Sequence, residues 1–287
     1  MSRVAYVNGR YLPHGEAMVH IEDRGFQFAD AVYEVWAVLD GRLTDAEGHL
    51  ARLERSLSEL RIGWPRSRAA LLTVVRETVR RNRIRDGLAY LQVTRGVARR
   101  DHPFPSPAPQ PTVVVTAKAL DLGAMEAKAD KGVTVISQPD QRWGRCDIKT
   151  VSLLPNVLAK QAAREAGAYE AWLIDQDGLV TEGASTNAWI VDANGALRTR
   201  DTGANILRGI TRATLIELAR EIQIRVDERP FSLEEAKTAR EAFLTAASAF
   251  VTPITAIDGV LVGDGRPGPV TRRLRALYLD HARRNAW

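Results

Sequence analysis

Thr181-Glu182-Gly183-Ala184-Ser185-Thr186-Asn187 lies between an apolar strand that ends near Asp175 and another that begins at Ala188. An acid beside a glycine is followed by two hydroxyls and an amide, all in a turn joining strands. Backbone amides and Ser/Thr hydroxyls in such a turn form a cradle for an anion. A decorated hairpin turn with no ligand is the other reading the seven residues allow.

Outward from this turn, strand-like segments lie near 132–136, 169–175, 187–191, 196–199 and 241–245, and helical ones near 155–166, 211–223, 232–239 and 269–284. Upstream, Val4–Val7 and Arg10–Leu12 flank Asn8-Gly9, a two-residue hairpin turn. Residues 32–39 read as an apolar strand closed by Asp40-Gly41. Two amphipathic helices follow, about 46–61 and 67–83, separated by Gly63-Trp64-Pro65. Residues 88–95 and 112–119 are apolar and β-branched enough for central strands. Strands and helices mix without a regular βαβ alternation, which argues against a doubly wound sheet and for α+β. The expected organisation is two domains, 1–119 and 132–287, joined by a linker at 120–131.

Lys149 stands out for a different reason. The chain has 40 Lys+Arg, of which only six are lysine, and Lys149 is flanked by Ile148 and Val151. Arginine cannot replace lysine where an amine must lose its proton and attack a carbonyl. A free lysine amine titrates near 10.4, so holding one neutral near pH 7 takes about 4 kcal/mol, which apolar burial or nearby cations can supply. A lysine capping a strand end fits this segment as well. Downstream, Leu207-Arg208-Gly209-Ile210-Thr211-Arg212 opens a helix. Gly209 allows close backbone approach, Thr211 is a candidate cap, and exposed amides at a helix start suit a phosphate.

Composition bounds the function classes. Hydrophobic residues make up 45% and charged residues 26% of the 287, as expected of a soluble globular protein. One cysteine, Cys146, excludes an intramolecular disulfide framework and a multi-cysteine metal site, and points to a reducing, cytoplasmic setting. Without a second cysteine, Cys146 reads as a small packing residue. The N-terminus shows no apolar stretch of signal-peptide length, and no run of 18 apolar residues predicts a membrane span. The net charge of +5 raises the possibility of nucleic acid binding. Against it, the arginines are interleaved with acids, and the densest cluster, Arg76 to Arg85, falls where cations complement a helix C-terminus.

An amine nucleophile, a carboxylate and two phosphate-binding turns are what pyridoxal phosphate requires. With those residues in view, the chain resembles the class IV, fold-type IV aminotransferases. Glu182-Gly-Ala-Ser-Thr-Asn187, Leu197-Arg-Thr199 and Leu207-Arg-Gly-Ile-Thr-Arg212 are similar to that family's signature, and the likeness runs from Val7-Asn8-Gly9 through Glu22-Asp-Arg-Gly25 to Ile257-Asp-Gly259. One position departs, Trp189, where the family usually has Phe or Tyr. The resemblance implies pyridoxal 5′-phosphate as cofactor, a small N-terminal α/β domain and a larger C-terminal one. It implies that Lys149 is the Schiff-base lysine and proton carrier. Glu182 is then the partner of the pyridine nitrogen and Arg52 the arginine on the phosphate. Ser185 or Thr186, with Ile210 and Thr211, supplies the remaining phosphate contacts, and Tyr33 is an active-site tyrosine.

Val93-Thr-Arg-Gly-Val-Ala-Arg-Arg100-Asp-His102 looks most like the D-alanine type. There, an Arg and a His two residues apart grip the substrate α-carboxylate with the tyrosine, here Arg100, His102 and Tyr33. A guanidinium takes a carboxylate bidentately, and an imidazole and a phenol can add further donors. Prolines at 103, 105, 107, 109 and 111 stiffen the loop that follows. The resemblance implies transamination between D-alanine and 2-oxoglutarate in a homodimer, with the 100–102 loop near the neighbouring subunit's site. Branched-chain L-amino acid transamination, (R)-amine transamination and aminodeoxychorismate lysis are the alternatives within the family.

Overall fold

A computed structural model describes residues 3–287; Met1 and Ser2, where the N-terminal reading begins, lie outside the described residues. The elements in chain order are β1 (Val4–Val7), β2 (Arg10–Pro13), α1 (Arg24–Phe28), β3 (Ala31–Leu39), β4 (Arg42–Leu43), α2 (Ala46–Glu59), α3 (Arg68–Arg81), β5 (Gly87–Thr94) and β6 (Val113–Ala119). There follow α4 (Leu122–Lys131), β7 (Val133–Pro139), α5 (Leu154–Glu165), β8 (Glu170–Ile174), β9 (Val180–Gly183), β10 (Asn187–Val191), β11 (Leu197–Thr199), α6 (Ile210–Glu221) and β12 (Val226–Glu228). The chain closes with α7 (Leu233–Lys237), β13 (Glu241–Ala246), β14 (Phe250–Ile257), β15 (Val260–Leu261) and α8 (Pro269–Arg284). Two mixed helix-and-sheet units result, an α+β architecture. One takes the residues up to Asp121 with Ile148–Ser152 and Asn285–Trp287; the other takes Leu122–Asp147 and Leu153–Arg284.

The first unit is built on a six-stranded sheet in the order β2-β1-β6-β5-β3-β4. Asn8 and Gly9 both take positive φ, as do Asp40 and Gly41, so each pair makes the primed turn that a two-residue hairpin needs. Strand alternation sends Val32, Glu34, Trp36 and Val38 of β3 to the helix-covered face. There they meet α2, whose buried residues Ala46, His49, Leu50, Leu53, Ser56 and Leu57 recur at helical spacing. Leu71, Leu72 and Val75 of α3 close the same core.

The second unit is a nine-stranded sheet ordered β12-β11-β10-β13-β14-β7-β8-β9, with β15 paired to β14. Strands β14, β7 and β8 run parallel and most of the others antiparallel. Its core stacks Trp172, Phe231 and Leu244 among Val and Ile side chains of the sheet. Some sequence expectations gain detail or are corrected here. Residues 122–131, inside the expected linker, form the helix α4. Strand β14 has no counterpart in the sequence reading, and residues 181–183, read as part of a turn, belong to strand β9, so only 184–186 turn.

Candidate active site

In the first unit, Lys149 is held by backbone. The Tyr33 amide donates to the Lys149 carbonyl at 3.0 Å, and the Val151 amide to the Ala31 carbonyl at 3.2 Å. The segment thus lies antiparallel to the start of β3, with a bridge between Val32 and Thr150. The Lys149 amide donates to Ser56 Oγ of α2 at 3.3 Å. Ile148 is buried beneath it, and Lys149 Nζ comes 4.1 Å from the centre of the Tyr33 ring. Tyr33 in turn lies 5.6 Å from the ring of Tyr90, whose hydroxyl donates to Gln92 at 2.8 Å. Burial, with a smaller contribution from Tyr33, pushes the Tyr90 phenol up to about 12.

Because neighbours on a strand face opposite ways, Glu34 points from Tyr33's position to the helix side. It is fully buried, and Arg52 Nε and Nη2 donate to its two oxygens at 2.8 and 2.7 Å. His49 Nδ1 lies 2.7 Å from the same carboxylate, a distance at which that nitrogen carries the proton. Burial pushes Glu34 up, but the charge and hydrogen bonds of Arg52, with those of His49, outweigh it and bring the carboxyl to about 2. Burial lowers His49, so near neutral pH its ring is uncharged. Arg52 is therefore no surface arginine: Glu34 fixes the plane of its guanidinium. Glu34 and His49 were missed by sequence reasoning, which had no signal for a lone acid inside an apolar strand.

Arg100 and His102 rest on one aromatic ring. The Arg100 guanidinium is 5.0 Å and the His102 ring 5.5 Å from Phe28. No hydrogen bond or ring contact joins either to Tyr33 among the described residues. Their loop is tied down at its base: Arg24 donates to the carbonyls of Asp101 and His102 at 2.6 and 3.2 Å, and Arg95 lies 3.7 Å over the ring of Phe104. Both arginines bind Asp30, at 2.8 and 2.7 Å.

In the second unit, Glu182 sits on β9 with donors on both oxygens. Asn187 Nδ2 donates at 2.9 Å and the Leu207 amide at 3.1 Å, and Arg142 Nη1 donates as well. Ser185 and Thr186 turn their hydroxyls to Glu170, which is fully buried, at 2.6 and 3.3 Å. Helix α6 starts at Ile210 with Gly209 as N-cap and no side-chain cap; Thr211 does not cap but lies 3.4 Å from the Tyr278 hydroxyl. Its first amides, those of Ile210 and Thr211 included, have no intrahelical acceptor, and the helix dipole favours an anion there. The start of α6 is pressed so closely on the Glu182 clamp that a Cβ on Gly209 would meet Asn187 Oδ1 at 1.9 Å. An uncapped helix start beside a donor-clamped carboxylate fits a group bearing both a phosphate and a cationic ring nitrogen. Cys146 is half-buried, donates to the Trp143 carbonyl at 3.1 Å, and is pushed by burial up to about 11, so it stays a thiol at neutral pH. Among the described residues no group of three or more His, Cys, Asp or Glu could hold a metal ion, and no helix is long and apolar enough to cross a membrane.

Known proteins bear on these arrangements. The chain is 42% identical over 268 residues to D-alanine aminotransferase of Bacillus licheniformis, covering 93% of both chains. It is 40% identical to that of Staphylococcus haemolyticus, covering 94% of both. Among solved structures it is similar to the branched-chain amino acid aminotransferase of T.th. with pyridoxamine 5′-phosphate, with a TM-score of 0.89, 27% identity, and coverage of 99% of this chain and 95% of that one. The branched-chain amino acid aminotransferase of Escherichia coli gives a TM-score of 0.88 at 25% identity, with 98% and 94% covered. The family model for amino-transferase class IV matches residues 31–257, which include Tyr33, Arg52, Lys149 and Glu182. The chain belongs to the class IV aminotransferases.

Proposed function

We propose that Lys149, Glu182 and the start of α6 hold the cofactor, and that Tyr33, Arg100 and His102 hold the substrate carboxylate. The chain transaminates D-amino acids, moving the amino group of D-alanine to 2-oxoglutarate to give pyruvate and D-glutamate, with pyridoxal 5′-phosphate as cofactor. The observation that carries the site reading is the fixing of Lys149 along β3, which puts its Nζ at the ring of Tyr33. The cofactor supplies the electron sink that stabilises charge at the substrate Cα.

The protein's own groups do the rest. Lys149 Nζ anchors the cofactor and, as a free amine, accepts the Cα proton and returns it. Glu182 is the anion opposite the ring nitrogen. Arg52 takes the phosphate with its guanidinium plane set by Glu34, and Ile210 and Thr211 meet that phosphate at the α6 N-terminus. A hydroxyl of Ser185 or Thr186 that donates to the phosphate leaves Glu170 to do so, exchanging one anionic acceptor for another. The Arg100 guanidinium grips the α-carboxylate and so fixes which antipode presents its Cα hydrogen to Lys149.

The same reading extends to a cytoplasmic homodimer in which the 100–102 loop serves the neighbouring subunit's site. Residues 1–119 then form the small domain, 120–131 the linker and 132–287 the cofactor-carrying domain, with Lys149 borne on a segment that clusters with the first unit. The first experiment is the visible spectrum of the holoenzyme before and after D-alanine and, separately, L-leucine. Bleaching by D-alanine alone is the expected result. A band that responds only to L-leucine assigns the chain to the branched-chain type instead, and light scattering at monomer mass removes the dimer.

A further inference from the structure

Arg142 stands at the centre of a cluster that the proposed mechanism leaves unused. It follows β7, and its side chain is only 7% exposed. Its Nε and Nη2 donate to the two oxygens of Asp140 at 2.9 and 2.7 Å, its Nη2 also to the Asn205 carbonyl at 3.1 Å, and its Nη1 to Glu182. Thr181, next to Glu182 on β9, donates its hydroxyl to Asp140 at 2.7 Å. Arg142 therefore hydrogen-bonds two carboxylates at once.

Two features of this geometry matter. The three donors named on Glu182 are all N–H groups, so the carboxylate is held as an anion in one orientation. Asp140 takes the bidentate edge of Arg142 and leaves Glu182 a single N–H, so the shared cation is spent chiefly on Asp140. A bidentate pair is the stronger half of such a sharing, so the charge of Arg142 that reaches Glu182 depends on Asp140.

We propose that Asp140 and Arg142 are positioning residues that set how much negative charge Glu182 presents to the ring nitrogen of pyridoxal phosphate. Arg142 aims the carboxylate; Asp140 draws off the guanidinium so that Glu182 is not neutralised by it. The proposal rests on Glu182 being the partner of that nitrogen. Its sign is fixed by electrostatics: neutralising Asp140 makes the surroundings of Glu182 one charge more positive and disfavours a protonated ring.

The test is nitrogen NMR of the enzyme reconstituted with 15N-labelled pyridoxal phosphate, in the wild type and in Glu182→Gln, Asp140→Asn and Thr181→Val. The expected pattern is a protonated ring nitrogen in the wild type, a neutral one in Glu182→Gln, and a resonance displaced toward the neutral form in Asp140→Asn. Thr181→Val, which removes one donor from Asp140 and keeps all charges, stays with the wild type. With D-alanine, Asp140→Asn lowers kcat on the order of 10-fold, the effect of about one pH unit at the nitrogen, and leaves KM unchanged. An Asp140→Asn resonance at the wild-type position, or moved toward fuller protonation, overturns the proposal. If Asp140→Asn does not fold, Arg142→Lys, which cannot hold both carboxylates, decides it: an unmoved resonance there overturns it too. A wild-type resonance that coincides with that of Glu182→Gln removes Glu182 from the nitrogen, and the underlying reading fails rather than its refinement.

Discussion

Two buried guanidinium–carboxylate clusters, one in each unit, differ in how the guanidinium is shared. Around Glu34 one carboxylate meets one guanidinium and a neutral imidazole, so Glu34 has that guanidinium's carboxylate-facing edge to itself and the cluster is closed on the acid's side. Around Arg142 two carboxylates share one guanidinium, so the cluster is open: neither acid has the cation to itself. The closed cluster spends its hydrogen bonds on holding α2 to β3. In the proposed function the open one holds Glu182 in place for the cofactor ring. A buried ion pair by itself signals neither stability nor function; how the guanidinium is shared distinguishes these two.

Breaking the closed cluster should cost the most. Arg52→Ala leaves Glu34 fully buried without its guanidinium, a change that destabilises by about 3–5 kcal/mol. Urea unfolding of the apo protein measures it, and a loss below about 1 kcal/mol contradicts the view of Glu34 as dependent on Arg52. The closed cluster also predicts an acid limb. Glu34 has a folded-state value near 2, below its ordinary 4.5, so its contribution is complete above about 4.5 and disappears as pH falls toward 2. His49 is lowered too. The unfolded chain protonates it first, so stability already begins to fall as pH drops through its ordinary 6.5. Glu34 alone accounts for about 3 kcal/mol of this loss. Glu34→Gln should flatten the part of the profile below 4.5, and thermal melts from pH 7 to 3 test it.

The two clusters were also unequally legible. The family motif singled out Glu182 and Arg52, and helical spacing placed α2 correctly, so Arg52 was assigned without its partner. Glu34, Asp140 and Arg142 carried no such signal. Lysine is scarce enough in this chain for Lys149 to stand out, whereas Arg142 is one of 34 arginines and local pattern gives no contrast. The missing elements have similar causes. Strand β14 contains Pro253, which removes a donor and argues against an interior strand. It forms nonetheless, because β13 and β7 pair on its two sides, with a register shift beside the proline. Strand β9 is four residues long, and its Thr-Glu-Gly reads as turn until β8 pairs with it. In α4, Gly123 masked a helix that buries only Ala129. Tertiary pairing, absent from any local window, decided each case.

The open cluster should respond in the opposite way. Glu182→Gln removes one charge while keeping shape and most hydrogen bonds, and Arg142 keeps Asp140, so the apo protein should unfold at nearly the wild-type urea concentration. Activity should fall on the order of 10²-fold, the scale of losing one charge aimed at a developing charge. The pairing of unchanged stability with lost turnover is the test. If Glu182→Gln destabilised the apo protein as Arg52→Ala does, the two clusters would be alike and the contrast would be false.

The smallest expected effect separates charge from placement within the open cluster. Gly209→Ala changes no charge, but its new Cβ would lie 1.9 Å from Asn187 Oδ1. Asn187 donates to both Glu182 and the Leu207 carbonyl, so moving it loosens the clamp on Glu182 from one side. The cost in stability should be about 1 kcal/mol, the low end for overpacking. Cofactor affinity should weaken on the order of 10-fold, because the α6 start and the carboxylate shift together; each tenfold corresponds to about 1.4 kcal/mol. Fluorescence titration of the apo protein with pyridoxal phosphate reads this directly. Unchanged affinity would mean that the closeness of Gly209 to Asn187 is packing alone, and the specificity of the open cluster would rest on its charge balance and not on its geometry.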